Sequence, residues 1–115
     1  MQSILAKLNK TQGVRGSMVV NRDGIVVAAD FSVDLDETGI GAVASSILAA
    51  LEGAVKRIKI GKLKRFVITG NENKVAMVDT GPTILLVILD REANMGLLNV
   101  ELNEAVAEVA ANAKM

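Results

Sequence analysis

The chain has 115 residues, half of them apolar, and its thirteen basic and thirteen acidic side chains cancel to a formal net charge of +0. It contains no cysteine and no histidine, which excludes structural zinc of the usual kind, thiol catalysis, haem ligation through histidine and every Ser-His or Cys-His dyad. A balanced charge sets up no global field toward nucleic acid or an acidic membrane, so any such attraction must be local.

That length suits one domain over residues 1–115, burying roughly two thirds of the surface its unfolded form exposes. With Phe31 and Phe66 the only aromatic residues, the expected core is aliphatic. Met1-Gln2-Ser3-Ile4-Leu5-Ala6-Lys7-Leu8 is too short and too polar for a signal peptide, and no run approaches 18 consecutive apolar residues. A cytoplasmic protein without membrane insertion is expected.

Met1, Ile4, Leu5 and Leu8 fall on one helical face, which predicts a short amphipathic helix ended by Gly13. Val14 to Ala29 then reads as two Val- and Ile-rich strands around Asn21-Arg22-Asp23-Gly24, where Gly24 can take the positive φ of a bulged hairpin turn. Asp30-Phe31-Ser32-Val33-Asp34-Leu35-Asp36 is expected to form an acidic loop that caps the next helix, with Glu37 at the positive end of its dipole. From Glu37 to Lys59, Ile40, Val43, Ile47, Leu51, Val55 and Ile58 recur at helical spacing and predict the face that covers the sheet.

A second stripe on that helix, Thr38, Ala42, Ser45, Ser46, Ala49 and Gly53, is made of small side chains. It either admits another backbone or packs tightly inside the same domain. Gly61 is expected to close the helix, Lys64 to Thr69 to form a third strand, Gly70-Asn71-Glu72-Asn73 a turn, and Lys74 to Asp79 a fourth strand. Thr83 to Leu89 follows as a fifth strand, apolar almost throughout and therefore covered on both faces. Leu98, Leu102, Val106, Val109 and Ala113 predict a last helix over Asn94 to Lys114. The order α-β-β-α-β-β-β-α implies an α+β domain in which a five-stranded, mostly antiparallel sheet is sandwiched between helices.

That order, with the hairpin wording Gly13-Val14-Arg15-Gly16-Ser17-Met18-Val19-Val20-Asn21-Arg22-Asp23-Gly24-Ile25-Val26-Val27-Ala28, resembles the roadblock family, named from the roadblock-type dynein light chains. Parts of the layout are shared with profilin-like domains. Some bacterial members are similar to the B protein of the mutual gliding system, which acts on a small Ras-like GTPase. The resemblance implies a homodimer in which the Glu37 to Lys59 helix pairs with its twofold mate and the Lys64 to Thr69 strand extends the sheet. Its interface would then include Ala42, Ser45, Ser46, Ala49, Gly53, Arg65, Phe66, Val67 and Ile68. Independently, a strand bearing Phe66 and Ile68 is a liability as an open edge, which isologous pairing removes.

Lys56, Arg57, Lys59, Lys62, Lys64 and Arg65 place six of the thirteen basic residues within ten positions. They form a docking surface for an acidic partner or, more plainly, complement the helix dipole and guard an edge strand. No aromatic residue interleaves with them to stack bases, so nucleic acid is not expected as a partner. Gly13, Gly16, Gly39, Gly41, Gly61 and Gly70 fit neither a P-loop nor a dinucleotide fingerprint. Asp30, Asp34, Asp36 and Glu37 lack the ligand series of a calcium loop. No catalytic residue, metal ligand or cofactor is assigned. The expected function is a non-enzymatic homodimeric adaptor that binds and regulates a small Ras-like GTPase. The alternatives are a light-chain-like scaffold subunit, or a small-ligand or cation-binding domain built on the acidic loop.

Overall fold

In the computed structural model, which describes residues 1–113, the elements run α1 (Gln2–Asn9), β1 (Val14–Asn21), β2 (Val26–Phe31), α2 (Glu37–Ile58), β3 (Arg65–Thr69), β4 (Asn73–Asp79), β5 (Thr83–Asp90) and α3 (Met95–Ala113). The strands form one antiparallel sheet in the order β2-β1-β5-β4-β3. The α+β order read from the sequence is the one observed. Boundaries shift slightly: Asp30 and Phe31 belong to β2 and not to the acidic loop, and Asn73 and Asp90 extend β4 and β5. The expected end of the last helix at Lys114 lies outside the described residues.

Two aliphatic layers hold the sheet. On one face α1 and α3 pack Ile4, Leu5, Leu8, Leu98, Leu102 and Val109 onto Val19, Leu85, Val87 and Leu89. On the other, α2 sets Ala44 and Leu48 over Met18, Val20, Met77, Ile84 and Leu86. Alternation along β1 and β5 sends successive residues to opposite layers, so these central strands are buried on both sides.

The β1–β2 turn is stapled by Asn21, whose Oδ1 accepts from the Asp23 and Ile25 amides at 2.9 and 3.0 Å. Gly24 sits at φ 88° and is pressed against α2, where a side chain would meet the Ser45 hydroxyl at 2.8 Å and the Ala42 Cα at 3.1 Å. Gly41 answers it from the helix: a Cβ there would lie 2.6 Å from the Gly24 carbonyl oxygen. This backbone-to-backbone seat fixes the rotation of α2.

The seat also corrects the expected covering face. Val55 is buried and Ile40 packs against the layer, as expected, but the other buried residues of α2 are Gly41, Ala44 and Leu48, while Val43 and Ile58 are 58% and 64% exposed. Small residues are needed where helix and turn touch, and that turns the bulkier stripe sideways. Asp36 caps the helix as expected, accepting from the Gly39 amide at 3.1 Å. The C-terminus ends on Lys59 in the left-handed conformation (φ 57°), with Gly61 (φ 98°) completing the reversal two residues later.

With so little of it covered, α2 remains strongly apolar. Its 22 residues include an 18-residue window of mean hydropathy 1.5, enough by length and composition to cross a bilayer, and 22% of that window is buried. Here the helix lies on the sheet.

Candidate interaction surface

Because α2 is seated mainly over β1 and β2, the β3 side of the same sheet face is only partly covered. An apolar groove of about 400 Å³ opens there, lined on the helix side by Ile40, Val43, Ala44 and Ile47 and on the sheet side by Ile68, Val75, Met77 and Leu86. Its polar residue is Asp36, already committed to the helix cap. Such a groove excludes water from hydrocarbon once something fills it, and burial of a Val or Ile side chain there gives about 1.5–3 kcal/mol.

Strand β3 borders the groove and is the free edge of the sheet. It pairs with β4 from Arg65↔Val78 to Thr69↔Lys74, and its other side pairs with no strand among the described residues. Val67 and Ile68 are 42% and 47% exposed, and Phe66 is half-buried. Arg65 leans over the opposite face and donates to Asn99 of α3 at 2.9 Å.

The small stripe divides. Ala42 and Ser45 lie against the Gly24 turn, so for these two the intramolecular contact is observed. Ser46, Ala49 and Gly53 face solvent, and a Cβ on Gly53 would have nothing within 4 Å. As groove residues, sequence reasoning missed Val43 and Ile47, assigned to the sheet-covering face, and Ile40, which packs against that layer and also lines the groove, together with the β4 and β5 side chains that floor it.

Lys56, Arg57, Lys59, Lys62 and Lys64 are all exposed around the α2–β3 turn. Lys62 lies 3.8 Å from Asp79, whose carboxylate is also held by Arg22 at 2.7 Å and by the Gly81 amide at 2.8 Å. In the acidic loop Asp36 caps α2 and Ser32 Oγ donates to the Arg15 carbonyl at 3.1 Å, and among the described residues no group of three or more His, Cys, Asp or Glu gathers to hold a metal.

Residues 1–90 match the Roadblock/LC7 domain. The chain belongs to the Roadblock/LC7 family. Two uncharacterized proteins of Methanocaldococcus jannaschii are each 38% identical to it over 108 residues, covering 94% of this chain and 95% of the relative. Among family structures, a Roadblock/LC7 domain from Streptomyces avermitilis superposes with a TM-score of 0.90 at 20% identity, covering 100% of this chain and 98% of that one. MglB of Myxococcus xanthus does so at 0.89 and 20% identity, over 99% of this chain and 97% of that one. An MglB described in a tetrameric arrangement scores 0.87 at 17% identity, over 96% and 85%. At these identities the structures share the Roadblock fold, and the MglB of the third forms oligomers.

Proposed function

We propose that this Roadblock domain is a non-enzymatic adaptor that acts as a homodimer and regulates a small Ras-like GTPase. The observation that carries the assembly is the apolar groove bounded by a bare strand edge. A second copy related by a twofold axis supplies both missing parts at once: its β3 extends the sheet through Arg65 to Ile68, and its α2 closes the groove. Exposed Ser46, Ala49 and Gly53 let the two helix backbones approach, while Val43 and Ile47 provide the bulk. Sedimentation should give twice the 12.1 kDa protomer mass at tens of micromolar. A monomer under those conditions rejects the assembly.

The GTPase reading rests on likeness to the MglB regulators and on a surface built for contact. Such an adaptor works by pressing on the partner's mobile loops so that the partner's own catalytic groups become positioned, a preorganisation effect on phosphoryl transfer. Lys56, Arg57 and Lys64 flank the helix face and suit an acidic rim on the partner. Incubating the protein with the small GTPase encoded nearest to its gene should form a complex and change the rate of GTP hydrolysis. Neither binding nor a rate change would reject the regulator and favour the scaffold subunit.

A further inference from the structure

No acidic residue occurs between Glu52 and Glu72, a span that holds six of the thirteen basic residues. The dipole at the end of α2 accounts for Lys56 and Arg57, and guarding of the β3 edge accounts for Lys64 and Arg65. Neither explains the isoleucines set among them. Ile58 and Ile60 are 64% and 69% exposed, and every residue from Lys56 to Lys62 faces solvent. The left-handed Lys59 and Gly61 reverse the chain here, so cations and bare aliphatic side chains share one turn.

The neighbouring acids do not quench this charge. Glu52 lines the same hollow as Lys56, Lys59 and Lys62, and Asp79 lies beneath Lys62. Both carboxylates are engaged by Arg22, at 3.5 Å to Glu52 and 2.7 Å to Asp79. Among the described residues, Lys56, Arg57, Lys59 and Lys64 pair with no carboxylate.

We propose that the α2–β3 turn attaches the protein to an anionic lipid bilayer, with Ile58 and Ile60 entering the boundary between headgroups and acyl chains and the surrounding lysines lying among the phosphates. Aliphatic side chains ringed by uncompensated cations are the chemistry of interfacial binding. A fluid surface accommodates two projecting isoleucines, whereas a folded acidic protein would need a matching apolar hollow for each. This is a surface contact, not a span. Lys56, Arg57 and Lys64 are shared with the surface offered to the GTPase, so the test rests on Lys59 and Ile60, which are not; Ile60, five residues ahead of Arg65, lies outside β3.

Co-sedimentation of the full chain with phosphatidylcholine vesicles, with and without phosphatidylglycerol, tests it at about 0.1 M salt, where the screening length is still about 10 Å. Binding is expected with the anionic vesicles only. It should fall roughly fivefold in Lys59→Gln, and on the order of tenfold in Ile60→Ser, with the sedimentation coefficient of the lipid-free protein unchanged. No binding to anionic vesicles, or equal binding to neutral ones, overturns the proposal. So does anionic binding that is indifferent to Ile60→Ser and fully displaced by soluble polyglutamate, which would assign the turn to an acidic polypeptide.

Discussion

The two edges of the sheet are treated differently. At β2, α1 reaches over the strand: the Gln2 amide donates to the Ala29 carbonyl at 3.2 Å and the Asn9 amide to the Asp30 carbonyl at 2.7 Å, while the turn at its start is locked against α2. At β3, no side-chain donor among the described residues reaches the strand backbone, and Ile68 lines an unfilled apolar groove. Edge strands invite pairing unless something blocks them. A sheet blocked on one side and apolar on the other is suited to growth in one direction only, which yields a closed pair where two open edges would yield a fibre.

The largest effect should come from making the open side hostile. Val43→Glu/Ile68→Glu places like charges in the groove, and self-association should weaken by at least about a hundredfold, close to 3 kcal/mol. Both positions are exposed within the protomer, so its thermal melt should persist, and sedimentation that still shows the wild-type dimer would remove the groove from the interface. Next in size is Gly41→Val, which drives a side chain into the Gly24 carbonyl. Urea unfolding should reveal a loss of about 2–3 kcal/mol as the helix is forced off its seat.

Asn9→Ala probes the guarded edge. Asn9 also accepts from Ser17 Oγ at 2.7 Å, and Ser17 is fully buried. Stripping both the carbonyl cover and the hydroxyl's partner should cost about 1–3 kcal/mol. An unchanged denaturation midpoint would mean that the blocking contacts carry no weight. Smallest is Gly53→Ala, which removes backbone freedom at a helix position with open space around it and should add about 0.4–1 kcal/mol to protomer stability. Weaker dimerisation in the same variant would locate the closest approach of the two helices.

Much of this was legible in the sequence because it is local. The Asn21–Gly24 turn, the Asp36 cap and the uninterrupted apolar run of β5 each declare themselves within a few residues. The rotation of α2 is not local. In a helix this rich in Ala, Val and Ile, adjacent stripes all satisfy helical spacing, and the choice between them is made by the Gly24–Gly41 contact, which joins residues seventeen positions apart. For the same reason the groove was missed: Val43 carries the signature of a core residue and lies in no protomer core. The Arg22–Glu52–Asp79 link joins three separate elements and left no spacing to detect.

The seat at Gly41 also sets how α2 comes undone. From Gly41 to Leu48 the helix is held by the turn and by the Ala44–Leu48 layer, whereas beyond Leu48 its one buried side chain is Val55, helped by the Glu52–Arg22 ion pair. Opening free energies within one element follow such differences in buried contact. In the isolated protomer, backbone amides past residue 52 should therefore trade hydrogen for deuterium sooner than those near residue 45, and the last turns should unwind while the first remain closed. Engaging a partner there would be read out as slowed exchange along half a helix.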